Sequence, residues 1–299
     1  MSCTSTRCSA RWQPIDSSQL PDLADWRKKQ NNMTDGNFIQ VNDISMYYEE
    51  AGSGEAVVLL HGSMGSSAVW QPHLPLFSPY GRVIVPDLRD HGRTTFTPDF
   101  DLDQTAALNA ADVIALLDGL GIERAVLCGW SRGGVIALRT AFHYPERMRG
   151  LIVGGVTMEV TDATRATLYA MGLDGPGKPN WARGQKAIPD IIARWQQTHR
   201  QTPDHYMRLL ERNSYGMFKS NVMPSPRDLA AMATPTLIVW GDRDQFLPVE
   251  QAVTLYRLLP KGQLAVIPNA DHFVTRTHPG EFGRITTKFL EDLSQREPK

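Results

Sequence analysis

Short apolar runs alternate along the chain with segments of helical periodicity, and this alternation restricts the fold more than any other feature of the sequence. The runs AVVLL at residues 56–60 and RVIVP at residues 82–86 are short and almost wholly apolar. Strands that are buried on both faces of a parallel sheet have this continuous apolar character. Because parallel strands are joined by helical crossovers, the alternation predicts an α/β fold with a mostly parallel sheet and helices on both of its faces.

The same reasoning predicts the order of most elements. A hairpin is expected at residues 37–50, where the pair Asn42-Asp43 forms a turn that tolerates positive φ. A helix over residues 105–120 has most of its large aliphatic residues on one stripe, and Gly121 follows it as a stop signal. Further strands are predicted at residues 125–128, 150–156, 236–240 and 263–268, and further helices at residues 66–77 (broken at Pro72), 131–143, 249–259 and 279–293.

The alternation is interrupted once, over residues 157–227. This block lacks apolar strand runs, is rich in Gly, Pro, Trp, Met and Arg, and contains helical pieces at residues 188–199 and 203–211. Because the alternation resumes afterwards, the block is predicted to be a helical cap inserted into a single α/β domain. The predicted core of that domain consists of residues 33–156 and 228–299.

Residues 1–32 precede the alternation and show neither helical nor strand periodicity. The segment also lacks the apolar stretch of a secretory signal peptide. We therefore expect a disordered N-terminal extension, or an upstream addition ahead of a true start at Met33, without a catalytic role.

Composition and charge exclude several classes of function. The chain has 299 residues, of which 41% are hydrophobic, and this is enough to bury a sizeable core. Its 31 basic and 32 acidic residues give a net charge of -1, so the sequence carries no electrostatic footprint for nucleic acid. No apolar run approaches the ~20 residues that a membrane-spanning helix requires.

The three cysteines form no metal-binding or disulfide pattern. Cys3 and Cys8 lie near the N-terminus, and Cys128 lies in a predicted strand. Neither CxxC nor HExxH spacing is present, so no metal is expected. Unpaired thiols are typical of a reducing compartment, and we expect a cytoplasmic protein.

Residues 129–133 read GWSRG and stand at the junction of a predicted strand and a predicted helix. A nucleophile elbow places serine on such a turn, with its Oγ exposed above the sheet. The two glycines allow strand and helix to approach where a Cβ would clash. The helix N-terminus adds a partial positive charge beneath a developing oxyanion. The pattern therefore predicts that Ser131 is a nucleophile.

Polar residues follow three other predicted strands. After residues 56–60 comes HGS, a loop that can aim a backbone N–H at the same oxyanion, and His61 is expected to support this loop rather than to catalyse. GDRD at residues 241–244 offers two carboxylates, and NADHF at residues 269–273 offers a histidine. An acid and a base could therefore both reach Ser131 from the ends of strands.

Together these motifs resemble those of the α/β-hydrolase superfamily over about residues 37–293. The resemblance is carried by HGSMGS, DLRDHGRT, GWSRGG, GDRDQFLP and NADHF, in the order Ser, Asp, His that the family's triad requires. It implies that Ser131 is the nucleophile, His272 the general base and Asp244 the acid that orients the base. It also implies that the backbone N–H groups of Ser63 and Arg132 form the oxyanion hole.

The sequence departs from the family pattern at three positions. Asp90 stands where family members often have glycine, and Thr94 where they often have serine, which puts the local turn geometry in question. Arg132 stands where they often have an uncharged residue. We favour a helix-capping or solvent-facing role for its side chain over contact with an anionic substrate.

The acid and the base each have competitors. Asp244 matches the family spacing, whereas Asp242 begins the turn after its strand and can hydrogen-bond turn amides. Glu159 is a third candidate, because some relatives supply the acid from that position. His278 competes with His272 but lies farther from a strand end, just ahead of the last helix.

The motifs also narrow the expected reaction. Serine at the elbow disfavours haloalkane dehalogenases and epoxide hydrolases, and Gln245 stands where some hydroxynitrile lyases have lysine. HGSMG lacks the HGGPG of proline iminopeptidases and the HGGGPG of carbon–carbon bond hydrolases. The expectation is cofactor-free hydrolysis of an ester or lactone of a small, largely apolar molecule through an acyl-enzyme. The alternatives are a cofactor-free haloperoxidase or perhydrolase, or a slow-turnover ligand receptor with the same fold.

Overall fold

A single eight-stranded sheet organises the structure, a computed structural model that describes residues 36–97, 105–219 and 223–296. The strands are β1 (Asn37–Val41), β2 (Ile44–Ala51), β3 (Ala56–Leu60), β4 (Arg82–Pro86), β5 (Ala125–Trp130), β6 (Met148–Gly154), β7 (Thr236–Gly241) and β8 (Gly262–Ile267). Their order in the sheet is β1-β2-β4-β3-β5-β6-β7-β8. β1 and β2 run antiparallel to their neighbours, and β3 to β8 form a parallel sheet.

The helices within the described residues connect these strands. They are α1 (Leu74–Phe77), α2 (Thr105–Gly119), α3 (Arg132–His143), α4 (Asp162–Ala170), α5 (Trp181–Ala187), α6 (Pro189–Thr198), α7 (His205–Met217), α8 (Pro226–Ala231), α9 (Val249–Leu258), α10 (Val274–Thr277) and α11 (Pro279–Arg296). The helix predicted at residues 66–77 is a 3₁₀ helix at Ser67–His73, which contains Pro72, followed by the single turn of α1.

Alternate side chains of the parallel strands enter two separate apolar cores, one on each face of the sheet. In β5, Leu127 belongs to the core beneath α2, α3 and α9, whereas Val126 and Cys128 belong to the core beneath α1 and α11. Both faces of the sheet are therefore covered by helices. The predicted fold class, a mostly parallel sheet with helices on both faces, is confirmed.

The helices α4 to α7 lie between β6 and β7 and have an apolar cluster of their own. Leu168 of α4 and Leu209 of α7 are buried in this cluster, together with Met64 from the loop after β3. The helical pieces predicted in this region correspond to α6 and α7, whereas α4 and α5 were not predicted. We keep the name cap for this insertion.

The predicted boundaries of the cap and of the N-terminal extension remain predictions. The boundary between residues 227 and 228 falls inside α8, whose Leu229 is fully buried in a core of the sheet. The extension predicted at residues 1–32 lies outside the described residues. No described helix combines the length and apolarity needed to cross a membrane.

Candidate active site

Ser131 occupies the sharp turn between β5, which ends at Trp130, and α3, which begins at Arg132. Its φ of 54° and ψ of -120° are unfavourable for a residue with a side chain, and such strain persists only where the surrounding structure holds it. One hydrogen bond that holds this turn runs from the Ser131 N–H to the carbonyl of Gly154, over 2.8 Å. The backbone here has the conformation expected of a nucleophile elbow.

The two glycines of the elbow have no room for a side chain. A Cβ on Gly129 would lie 2.2 Å from the carbonyl oxygen of Gly133, and a Cβ on Gly133 would lie 2.1 Å from that of Leu60. Strand β5, helix α3 and strand β3 therefore pack backbone against backbone at this point. The close approach that the spacing predicted is present on both sides of Ser131.

The loop after β3 passes directly beside the nucleophile. A Cβ on Gly62 would lie 3.2 Å from the Cβ of Ser131. His61 is fully buried, donates from Nδ1 to the carbonyl of Gly62 over 2.8 Å, and accepts at Nε2 from the Leu88 N–H over 3.0 Å. Burial lowers its pKa to about 4, so the ring is neutral. These contacts support the predicted role of His61 as a prop for the loop.

His272 and Asp244 form a buried hydrogen-bonded pair. The distance between Nδ1 of His272 and Oδ2 of Asp244 is 2.7 Å, and the Asp244 side chain is only 1% exposed. The other carboxylate oxygen of Asp244 accepts the backbone N–H groups of Phe246 and Leu247, each over 2.9 Å. An ionised carboxylate held in this way favours the tautomer with hydrogen on Nδ1, which leaves Nε2 to accept a proton.

The competing acids and the competing base make other contacts. Among the described residues, the partner of Asp242 Oδ2 is Arg243, at 3.6 Å. Glu159 is exposed, and its backbone N–H and carbonyl form hydrogen bonds with the side-chain amide of Gln251. The ring of His278 contacts the Oγ1 of its neighbour Thr277, over 3.0 Å. Of the candidate acids, Asp244 is therefore the one that contacts His272.

Ser131 follows β5, whereas Asp244 and His272 follow β7 and β8 at the same edge of the sheet, and no hydrogen bond among the described residues joins the serine to this pair. The indole N–H of Trp130 donates to the carbonyl of His272 over 2.7 Å, and a Cβ on Gly155 would lie 2.9 Å from the His272 ring. Within the described part of the chain, Ser131 Oγ makes no hydrogen bond to His272. Nucleophile–base bonds are often long without substrate, and the complete triad stays a prediction.

The two predicted oxyanion donors have free backbone N–H groups. Neither the Ser63 amide nor the Arg132 amide donates to an acceptor in residues 36–97, 105–219 or 223–296. Arg132 is the first residue of α3, and the first N–H groups of a helix have no intrahelical partner. Both amides are available to an incoming oxygen, as the predicted oxyanion hole requires.

Two aromatic residues beside His272 were not singled out from the sequence. The ring centroid of Phe246 lies 4.9 Å from that of His272, and the indole of Trp130 anchors the loop that carries this histidine. Trp130 occupies the variable position of the G-x-S-x-G motif. Because Trp130 ends a wholly buried strand, its position in the sequence could have indicated that it packs beside the site, which the motif alone does not indicate.

The side chain of Arg132 extends across to the cap, which differs from the helix-capping or solvent-facing role that we favoured. Its Nη1 donates to Oδ1 of Asn213 in α7, and Nδ2 of Asn213 donates to Nε2 of His91 over 3.2 Å. The Nε–H of Arg132 is enclosed and has no hydrogen-bond partner in the described part of the chain. Burial lowers the pKa of this guanidinium to about 10.

Four buried histidines form a continuous column between the core and the cap. Successive ring centroids lie 4.9, 5.6 and 5.5 Å apart. Each ring donates from one nitrogen to a backbone carbonyl and accepts at the other, which only a neutral imidazole can do. No group of three His, Cys, Asp or Glu side chains in the described ranges could hold a metal ion. The column consists of His61, His91, His199 and His205.

A strained serine above a parallel sheet, with a buried Asp–His pair at the ends of other strands on the same edge, is the arrangement of hydrolases of the α/β class. The model of the Alpha/beta hydrolase family matches residues 57–285. The chain belongs to this family.

The proteins that this chain resembles are named for more than one activity. The chain is 29% identical over 286 residues to a 2-hydroxy-6-oxononadienedioate/2-hydroxy-6-oxononatrienedioate hydrolase of Comamonas testosteroni, covering 87% of this chain and 98% of the relative. A thermophilic esterase of Thermogutta terrifontis, solved with malate bound, is 25% identical with a TM-score of 0.68, over 87% of this chain and 99% of the esterase. Est816, an N-acyl homoserine lactone degrading enzyme, is 26% identical with a TM-score of 0.66, over 85% of this chain and 100% of Est816.

Proposed function

We propose that the chain is a serine hydrolase that cleaves a carboxylic ester or lactone through an acyl-enzyme. The observation that carries the proposal is the buried hydrogen bond between His272 Nδ1 and Asp244 Oδ2, at the same edge of the sheet as Ser131. This bond prepares Nε2 as a proton acceptor and stabilises the imidazolium that forms when it accepts one.

In the proposed mechanism, His272 takes the hydroxyl proton of Ser131 while Oγ attacks the substrate carbonyl carbon. The carbonyl oxygen becomes an oxyanion that accepts the N–H groups of Ser63 and Arg132. His272 then gives its proton to the leaving alkoxide, which departs as an alcohol and leaves the acyl group on Oγ. Water, deprotonated by His272, repeats the sequence, and the acid and free Ser131 are released.

The surroundings of the candidate site support a largely apolar substrate. Met64, one residue after the predicted oxyanion donor Ser63, is buried in the apolar cluster of the cap. Phe246, two residues after Asp244, packs against the same cluster. The loops that carry the predicted oxyanion hole and the acid are therefore both covered by apolar cap side chains, as in most small-molecule sites.

The solved relatives support the same class of bond. One is an esterase and another degrades N-acyl homoserine lactones, each at an identity of 25% or more over most of its length. For this chain we infer only the shared chemistry, which is attack of a serine on an ester or lactone carbonyl. The inference does not extend to a particular acid or alcohol component of the substrate.

Carbon–carbon bond hydrolysis is a second candidate, supported by the Comamonas relative. The sequence disfavours it, because HGSMG lacks the HGGGPG motif. The relative is nevertheless 29% identical along almost its whole length, and its named substrate contains neither an ester nor a lactone, so hydrolysis must break a carbon–carbon bond. The same oxyanion donors and base would serve that reaction.

A panel of substrates separates the two candidates. Purified protein is offered 4-nitrophenyl esters of increasing acyl length, small lactones, and 2-hydroxy-6-oxo-6-phenylhexa-2,4-dienoate, whose absorbance is lost on cleavage. We expect multiple turnovers of esters or lactones. Turnover of the dienoate alone would replace the proposal with the second candidate, and turnover of none by folded protein would contradict both.

The Ser131→Ala variant is the control for this panel. We expect it to stay folded, to lose labelling by a fluorophosphonate, and to retain only what binding and the oxyanion hole supply, roughly 10³–10⁴ over the uncatalysed rate. Circular dichroism and mass spectrometry of the labelled protein check these results. Normal ester turnover by the folded variant would show that Ser131 is not the nucleophile.

A further inference from the structure

Arg132 carries a positive charge that no carboxylate among the described residues contacts directly. Its Nη1 donates to the neutral amide oxygen of Asn213, and its enclosed Nε–H has no acceptor among the residues that the structure describes. No carboxylate within the described ranges forms an ion pair with it. Charges removed from water are normally paired, because an unpaired one lies well above its free energy in solution.

The acid that influences Arg132 most is committed to other groups. Asp90 acts on Arg132 electrostatically, but its Oδ2 is paired with Nη1 of Arg212 over 2.9 Å. Its Oδ1 accepts both the N–H and the hydroxyl of Thr97, each over 2.7 Å. Asp90 therefore has strong partners of its own and does not neutralise Arg132.

The hydrogen-bonded partner of the guanidinium, and the next ring along the same chain of bonds, are neutral. Asn213 uses its amide N–H to donate to His91, whose other nitrogen donates to the carbonyl of Arg89 over 2.8 Å. This chain of bonds has one consistent direction, so Asn213 must turn its oxygen to Arg132 and His91 must be uncharged. Among the described residues, no anion is therefore hydrogen-bonded to the Arg132 guanidinium.

The charge lies next to the proposed reaction centre. Arg132 directly follows Ser131, its backbone N–H is a predicted oxyanion donor, and its side chain spans from the elbow to α7 of the cap. A substrate held between Ser131 and the cap would therefore lie within reach of the guanidinium. The edge formed by Nε and Nη2, opposite the nitrogen used by Asn213, is the edge that binds a carboxylate by two parallel hydrogen bonds.

We infer that the guanidinium of Arg132 binds a carboxylate of the substrate, so that the preferred substrate is an ester or lactone that also carries an acid group. This inference rests on the proposed function and narrows it. The apolar cap side chains contact the hydrocarbon part of such a molecule, and the carboxylate supplies both the missing counter-ion and the missing acceptor for Nε.

Two esters that differ only in a terminal carboxylate test the inference. They are 4-nitrophenyl hexanoate and the mono-4-nitrophenyl ester of adipic acid, and the readout is the ratio of their kcat/KM values. We expect the wild type to prefer the adipate ester and the ratio to fall about 10- to 100-fold in Arg132→Gln, the range for a hydrogen-bonded charge pair. An unchanged ratio would overturn the inference.

Arg139→Gln and Asn213→Ala are the matched controls. Arg139 lies on the same helix, seven residues and so about 10 Å farther along it, and also has an enclosed Nε. Its substitution is expected to leave the ratio unchanged. Asn213→Ala removes the contact with the cap but keeps the guanidinium, and is expected to retain the preference. Equal losses in Asn213→Ala and Arg132→Gln would show that Arg132 merely docks the cap, and would overturn the inference.

Binding separates failure of this inference from failure of the proposed function. Titration calorimetry with adipate is performed on Ser131→Ala and on the double variant that also carries Arg132→Gln. We expect the second substitution to weaken adipate binding about 10- to 100-fold. Absence of adipate binding to Ser131→Ala would overturn the inference even if neutral esters are hydrolysed. Adipate binding that depends on Arg132, without turnover of either ester, would support it while contradicting the proposed function.

Discussion

Asp244 is held by the backbone around it so that only one of its oxygens can face the histidine. Its Oδ1 accepts two backbone N–H groups, those of Phe246 and Leu247, and its Oδ2 accepts from Nδ1 of His272. By contrast, Oδ1 of Asp242 is enclosed and has no hydrogen-bond partner within residues 36–97, 105–219 and 223–296. The two carboxylates of GDRD therefore differ in their hydrogen bonds.

This difference predicts a severe loss of activity when Asp244 is replaced by asparagine and a mild loss when Asp242 is replaced in the same way. In Asp244→Asn, the two backbone N–H groups retain the amide oxygen, so the NH₂ group faces His272 and forces the proton onto Nε2. That tautomer cannot accept the serine proton, and we expect kcat to fall by about 10⁴, the scale of this change in a serine protease. Asp242→Asn is expected to have a much milder effect.

Steady-state kinetics on the best ester of the panel measures both variants, with circular dichroism to establish that each is folded. A collapse of kcat in Asp242→Asn alone would move the acid to that residue. Equal and severe losses in both variants would contradict the distinction drawn from their hydrogen bonds.

The geometry of the elbow depends on β3, β5 and α3, whose backbones meet without side chains between them. Helix α3 approaches β3 and β5 so closely that Gly133 has a carbonyl oxygen where its Cβ would be. The contact positions the free N–H of Arg132 and the strained Ser131 together. Packing of this helix therefore determines the geometry of the candidate site as well as its stability.

We expect Gly133→Ala to destabilise the protein. The added Cβ would lie 2.1 Å from the carbonyl oxygen of Leu60, which belongs to the sheet and cannot move aside. Overpacking typically costs about 1–3 kcal/mol, which exceeds the ~1 kcal/mol that alanine gains over glycine in a helix. Gly280→Ala is the control, because a Cβ there meets nothing within 4 Å. Urea unfolding measures both, and equal stability of the two variants would contradict the close packing at the elbow.

Across the fold, the local pattern of the sequence predicted the elements that have a strong apolar signal, and it missed weakly apolar helices and contacts between distant segments. The parallel strands β3 to β7 were predicted because each is a mostly buried apolar run, and β5 proved longer than expected, reaching Trp130. Helices α4 and α5 were not predicted, although Thr161 and Asn180 cap them, because their apolar faces are weak. The contact of Arg132 with Asn213 joins residues 81 apart, and no local pattern contains it.

Because several histidines are buried in their neutral form, the free energy of unfolding should depend on pH. Burial lowers the pKa values of His61, His73 and His199 to about 4, and holds those of His91 and His205 below the ordinary value of 6.5. The unfolded chain binds more protons than the native protein below pH 6.5. The free energy of unfolding therefore rises with pH in this range, and the stabilisation is lost as pH falls from 6.5 towards 4.

We expect the free energy of unfolding to fall as pH decreases below 6.5, by up to about 1.4 kcal/mol per pH unit for each such histidine. Urea unfolding between pH 7 and pH 4.5 measures this slope. His199→Gln removes one ring that joins the cap to the loop at Met64. This variant should take up about one proton fewer on unfolding, and the slope should decrease accordingly. His278→Gln is the control, since that ring bonds only its neighbour Thr277 among the described residues, and it should leave the slope unchanged. A wild-type slope near zero would show that the histidine column accepts protons without loss of native structure, and that it does not hold the cap on the core.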